Sequence, residues 1–192
     1  MSSKREQPRE SRSDSDLVTR AARGDREAFG DLYERYLDEI YRYLYYRVAD
    51  QAQVEDMTEM VFLKTWEVLP GSSAQIGNIR AWLYRVAHNL VVDRYRTHKL
   101  TTSLDAAADL QDGTLPPEAA VQKAQAAERM AWMISHLEPR QQQVLVCRFV
   151  SGLSHAETAR VMDLAENHVR VLQFRALKAL RKRFGKELER DE

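Results

Sequence analysis

Residues 154–183 read SHAETARVMDLAENHVRVLQFRALKALRKR, and the pattern predicts two short helices joined by a tight turn. Ser154 followed by Glu157 makes a capping box, in which each side chain satisfies an orphan N–H at the helix start. Met162-Asp163-Leu164-Ala165 supplies the break, and Ala159 is small enough for close helix packing. Val169, Leu172, Ala176, Leu177 and Leu180 then recur with helical period. Asn167, Arg170, Val171, Phe174, Arg175 and Lys178 take the other face. From Arg170 to Lys186 there are seven Lys/Arg and no Asp/Glu. A helix-turn-helix places its second helix in a DNA major groove, and such a basic run is drawn to phosphates. The competing reading is an amphipathic helical hairpin with a solvated basic face.

The whole chain sets the frame. With 44% hydrophobic and 30% charged residues but only 7 Gly and 5 Pro, the composition suits a mostly helical globular protein. Almost nothing alternates with period two, so the expected class is all-α without a sheet. The formal net charge is zero, yet charge is segregated. Residues 101–120 carry Asp105, Asp109, Asp112 and Glu118 and no base, whereas the flanking segments are basic. A phosphate responds to the charge within a Debye length of about 8–10 Å, not to the total. The one cysteine, Cys147, lies in the apolar run VLVCRF and reads as a small core residue. No apolar run approaches the ~20 residues of a membrane span. Residues 1–15 form a polar tail, expected to be disordered and without the apolar stretch of a signal peptide. These features predict a cytoplasmic protein with no membrane insertion.

Upstream of the hairpin, residues 16–48 are helical with a break at Gly24-Asp25, and their many tyrosines read as core or rim aromatics rather than stacking platforms. A helix over 51–69 starts at Asp50 with Gln53 three residues on and stops at Pro70-Gly71. Its buried stripe is Val54, Met57, Val61, Thr65 and Val68. The opposite stripe holds Asp56, Glu59, Leu63, Trp66 and Glu67, an apolar patch rimmed by acids that suits a protein partner; Trp66 either joins that patch or packs on a neighbouring helix. After the polar loop SSAQIGN (72–78), a helix from Ile79 to about Arg96 buries Ile79, Leu83, Val86 and Leu90. It points Arg85, His88, Asn89, Val92, Arg96 and Lys99 outward beside Tyr84 and Tyr95. Cations, an amide and aromatics together are equipment for gripping single-stranded nucleic acid. Residues 98–120, with Gly113 and Pro116-Pro117, read as an acidic linker, and helix resumes at 121 with Pro139 at a helix start.

In this order the segments resemble an extracytoplasmic-function sigma factor of the sigma-70 family. EDMTEMVFLKTW (55–66) is similar to the region 2 helix that binds the RNA polymerase clamp. IRAWLYRVAHNLVVDRYR (79–96) resembles the helix that melts and reads the −10 element. LEPRQQQVLVCRFVSGLS (137–154) and AETARVMDLAENHVRVLQFRALKAL (156–180) are similar to region 4, which reads the −35 element. The resemblance implies two helical domains, region 2 over 16–97 and region 4 over 121–186. It implies core RNA polymerase, promoter DNA and an anti-sigma factor as partners. By position it assigns polymerase docking to Asp56, Glu59, Leu63 and Trp66. It assigns −10 contacts to Ser72, Ser73, Gln75, Asn78, Arg85, His88, Asn89 and Arg96, with Asn89 and the loop holding a flipped base. The −35 contacts fall on Asn167, Arg170, Val171, Phe174, Arg175 and Lys178.

Several positions depart from the family pattern. The 72–78 loop has no aromatic. Asp163 stands where a turn glycine is common; Asp tolerates the left-handed conformation at modest cost. Ala165 stands where a capping Ser is common, a loss of roughly 1 kcal/mol. Val171 and Leu172 replace a frequent polar-basic pair, so apolar contact with thymine methyls takes the place of hydrogen bonds. An ordinary helix-turn-helix regulator remains as a rival; it would bind duplex tightly without polymerase. An enzyme is disfavoured. His155-x-Glu157 lacks the Cys pair of a zinc deaminase, His88, His98, His136, His155 and His168 lack metal-ligand spacing, and no glycine-rich phosphate loop exists. No metal, cofactor or catalytic residue is expected.

Overall fold

The computed structural model describes residues 13–48, 50–72, 76–101 and 118–188. Among them the chain is helical with no strand, in eight α-helices: α1 (Asp14–Ala21), α2 (Arg26–Tyr45), α3 (Gln51–Ser72), α4 (Ile79–Thr101), α5 (Glu118–Ser135), α6 (Pro139–Leu145), α7 (His155–Met162) and α8 (Glu166–Leu188). A π-helical turn, Val146–Val150, continues α6.

Short polar side chains set the helix starts. Ser13 accepts from the Asp16 N–H, so α1 begins at Asp14, inside the segment expected to be a disordered tail. Asp14 is then held by Arg35 and by the Tyr36 hydroxyl, both at 2.5 Å, which explains why the helix starts early. Gly24 takes φ +88° in the following turn, and Asp25 caps α2 by accepting from the Glu27 and Ala28 N–H groups. Asp50 caps α3 through the Ala52 and Gln53 N–H groups, and Asn78 caps α4 through the Ala81 N–H. The expected stop at Pro70-Gly71 does not occur: α3 runs on to Ser72 with Pro70 inside it. A proline in the last turn removes only one of the final ladder bonds.

The first half is a bundle of α1–α4 around Leu17, Ala28, Leu32, Ile40, Leu44, Val54, Val61, Leu69, Leu83 and Val91, all essentially sealed from water. In the second half α6, α7 and α8 close on Leu137, Val144, Leu145, Ala159, Met162, Val169, Leu172 and Ala176. The halves are not independent. Val146, Cys147, Leu153 and Val161 leave the second core and join the first. The π turn re-aims the chain ahead of Leu153 and Val161: the Ser151 N–H bonds to the Val146 carbonyl, five residues back, at 2.9 Å. One inserted residue turns the following side chains by about 100°. Gly152 at φ +64° and the bond from the Leu153 N–H to the Cys147 carbonyl then close a Schellman-type end.

Polar groups complete the seam. The Gln143 amide donates to the Tyr43 hydroxyl at 2.5 Å. Arg47, 4% exposed, donates to the Gln142 Oε1 at 2.8 Å and to the Pro139 carbonyl at 3.2 Å. Gln142 in turn donates to the Ser135 and Leu137 carbonyls, so one amide ties the turn after α2 to the end of α5. Arg80 of α4 bridges Glu39 and the Ser151 carbonyl. Cys147 is fully buried here, and burial pushes its thiol up to about 12.

Gln142→Ala leaves the buried Arg47 guanidinium without its side-chain acceptor and should cost about 2 kcal/mol, read as a lower urea midpoint. The same variant should speed the reaction of Cys147 with a thiol reagent under native conditions. Unchanged midpoint and reactivity would show that the seam does not hold the halves together.

Candidate functional site

Three surfaces carry the residues singled out in the sequence. On α3, Asp56, Glu59 and Glu67 are exposed, and Leu63 is 50% exposed among them. Trp66 does not belong to that patch. Its ring packs on Phe29 of α2 at 4.8 Å, the neighbour-packing alternative. Val68, expected in the buried stripe, is instead exposed, whereas Thr58, Phe62 and Leu69 are buried. The inward stripe thus follows 54, 58, 61, 62, 65 and 69, about 100° per residue. This rotation brings out Met60, 41% exposed, which the sequence reading missed. Its signal was the spacing of Asp56, Met60 and Leu63.

The second surface lies on α4. Arg85, Asn89 and Arg96 are exposed and at spacings 4 and 7 share one stripe. Ser73 and Gln75 lie outside the described residues, as does the side chain of Ser72. Asn78 is exposed, but its carboxamide oxygen is engaged in capping α4. Two expected outward residues turn inward. Tyr84 is fully buried, edge-on to Tyr43 at 5.3 Å, with its hydroxyl donating to Glu39. His88 is half-buried, and its Nδ1 is sealed without a partner. Burial lowers its pKa, the Gln143 amide offsets part of this, and Arg47 adds to the lowering. His88 is therefore a neutral seam residue rather than a cation offered to phosphate. Tyr95 is exposed at 41%, but its hydroxyl donates to the Arg47 carbonyl. Contacts made elsewhere in the fold, which no helical period reveals, account for all three: Tyr84 and Tyr95 meet α2 and the turn after it, and His88 meets Gln143 of the second half.

The helix-turn-helix is formed by α7 and α8. Both bonds of the capping box are present: the Glu157 N–H to the Ser154 Oγ at 3.1 Å, and the Ser154 N–H to the Glu157 carboxylate at 2.8 Å. The Ser154 backbone N–H also holds the Glu157 carboxyl below the usual range. Asp163 takes the left-handed conformation, φ 53° and ψ 52°, and the Leu164 N–H closes on the Ala159 carbonyl. On α8, Val169, Leu172 and Ala176 are buried against α6 and α7. Asn167, Arg170, Val171, Phe174, Arg175 and Lys178 are all exposed, Phe174 at 68%. Leu177, expected in the core, is also exposed. Arg170 pairs with Glu166 one turn back at 2.5 Å; in water such a pair is worth little and yields readily to phosphate. Large apolar groups at the centre of an exposed helix face, framed by cations, match what a major groove offers: methyls and base edges between two phosphate rails.

Residues 32–101 match the family model described as Sigma-70 region 2, and residues 133–182 match that described as Sigma-70, region 4. The chain is 36% identical over 167 residues to the ECF RNA polymerase sigma factor BldN of Streptomyces coelicolor, covering 86% of this chain and 63% of that protein. To the ECF RNA polymerase sigma factor SigX of Bacillus subtilis it is 30% identical over 176 residues, covering 86% and 87%. The fold resembles CnrH, solved in complex with the cytosolic domain of CnrY, with a TM-score of 0.69 at 23% identity over 93% of this chain and 99% of that one.

The two faces of α8 should respond oppositely to truncation. Phe174→Ala should leave the unfolding free energy within about 0.5 kcal/mol of the parent. Leu172→Ala should cost about 2–5 kcal/mol. Urea denaturation followed by circular dichroism reads both. A large loss from Phe174→Ala would mean that its ring is packed rather than free.

Proposed function

The chain belongs to the extracytoplasmic-function branch of the sigma-70 family, and from that premise we propose that it is a dissociable promoter-specificity subunit of RNA polymerase. The observation that carries this reading is the outward face of α8, where Arg170, Val171, Phe174, Arg175 and Lys178 are exposed while Val169, Leu172 and Ala176 are buried. That face reads the −35 duplex: Arg170, Arg175 and Lys178 reach phosphates or a guanine edge, and Val171 and Phe174 meet thymine methyls. The α3 face of Asp56, Glu59, Met60 and Leu63 docks on core polymerase. The α4 stripe of Arg85, Asn89 and Arg96, with the 72–78 loop, traps unpaired −10 bases. Unstacking costs a few kcal/mol per base, so binding of the extruded strand drives melting and the polymerase performs the chemistry.

The closed arrangement limits when this can happen. Elements at −10 and −35 are about 25 base pairs apart, roughly 85 Å of duplex. A compact chain of 192 residues has a radius of gyration of only about 16 Å. The halves therefore part before both elements are engaged. The intervening residues 102–117 reach at most about 55 Å when extended, and the two domains span the rest. An anti-sigma factor that holds the halves closed is the third partner of this reading.

Transcription by core polymerase on a genomic fragment library, with and without the protein, tests the class: protein-dependent start sites should share two spaced elements. Asp56→Lys with Glu59→Lys should weaken core capture at least tenfold with helicity intact. Asn89→Ala should lower permanganate reactivity of −10 thymines more than it lowers closed-complex retention. Undiminished core capture, or equal loss of retention and melting, would refute the respective assignment.

A further inference from the structure

We infer that Arg148, Gln173 and His155 form a polar clamp that sets the angle of the recognition helix α8 and thereby its base selectivity; this rests on α8 being the −35 reader. Gln173 lies on the rim of α8, between buried Leu172 and exposed Phe174. Its Oε1 stands 3.2 Å from the Arg148 Nε and 3.1 Å from the His155 Nε2. A guanidinium can only donate, so the atom facing Arg148 is the amide oxygen. His155 must then carry its hydrogen on Nε2, and both lone pairs of Oε1 are filled. Arg148 also donates from its NH1 to the Leu153 carbonyl. One guanidinium from the π turn thus grips the loop before α7 and the middle of α8 together.

The clamp sits where leverage is greatest. The two helices are joined at one end by the Asp163 turn, and elsewhere by apolar contacts among Ala159, Met162, Val169 and Leu172. Apolar contact is non-directional and permits α8 to roll. His155 opens α7, eight residues from the turn, which places the clamp about 12 Å from the hinge. Rolling α8 by a few degrees displaces Val171 and Phe174 against thymine methyls, where dispersion fades within an ångström. Long, flexible Arg175 and Lys178 follow the phosphates regardless. Loss of the clamp therefore erodes selectivity and spares overall affinity. Arg148, Gln173 and His155 are positioning residues, with no base contact of their own required.

The test scores the full-length protein with core polymerase on promoters carrying a randomised −35 element, alongside thermal unfolding of each variant. Gln173→Ala should reduce the preference for the best over the median −35 sequence at least fivefold. Its −10 preference and unfolding midpoint should stay near those of the parent. Gln173→Glu keeps an acceptor for both donors and should restore the preference, which a role in general stability would not predict. If Gln173→Ala does not fold, His155→Ala decides, with a smaller loss in the same direction. Parental selectivity in Gln173→Ala and His155→Ala, or no recovery in Gln173→Glu, overturns the clamp. Indifference of the parent protein to the −35 sequence overturns the underlying reading of α8 instead.

Discussion

The segment from Pro139 to Val150 has to be buried on two sides at once, and the rest of the molecule is arranged around that demand. Val144 and Leu145 face the core formed with α7 and α8, while Val146 and Cys147 face the core formed by α1–α4. An ordinary surface helix buries one stripe and solvates the other. This one buries two consecutive polar residues as well, Gln142 and Gln143, 6% and 1% exposed, and each makes a hydrogen bond to the other half of the molecule. Two residues on in a helix lie about 200° round, so Val146 and Cys147 point away from Val144 and Leu145. The π turn that follows adds one residue to the ladder ahead of Ser151, whose carbonyl accepts from Arg80.

This packing treats the three surfaces unequally. On the α3 face, Asp56, Glu59 and Glu67 with Met60 and Leu63 are exposed in the closed molecule. The α4 surface is divided. Arg85, Asn89 and Arg96 are exposed, but Tyr84 is sealed and His88 is half-buried against the second half. The exposed face of α8 is free in itself. In the proposed function, docking on polymerase through α3 requires no rearrangement, while engagement of both promoter elements requires the halves to separate. Docking first and opening second is the order that the packing favours.

The helix-turn-helix was legible because its signals are local. A capping box needs four consecutive residues, the break at Asp163 needs one, and the stripe of Val169, Leu172 and Ala176 needs two turns. The order of segments made the family legible as well. What could not be read was long-range. Trp66 lies between the inward and outward stripes of α3, and only the position of Phe29 decides which way it goes. Tyr84 and His88 were placed outward because α4 alone presents them there; α2 meets Tyr84, and Gln143 of the second half meets His88. Pro70 and Asp14 show the same limit on a smaller scale. The helix continues past the one because a single lost bond at its end is cheap, and begins before the expected point at the other because Arg35 and Tyr36 hold it.

The chemistry of the seam fits an interface that has to open. Its centre contains Tyr43, Arg47, His88, Gln142 and Gln143, which regain hydrogen bonds from water when exposed, so the surface that separation bares is mixed rather than wholly apolar. Several of these groups are imperfectly satisfied while closed: Arg47 Nε, His88 Nδ1 and Gln143 Oε1 are buried without a partner. Each such atom carries a desolvation penalty of about 1–3 kcal/mol, which opening releases. Against this stand the apolar contacts of Val146, Cys147, Leu153 and Val161, all 3% exposed or less, and the charged bonds of Arg47 and Arg80. The two contributions oppose each other across the seam. A partner that binds an open half more tightly than the closed molecule has only the difference between them to overcome.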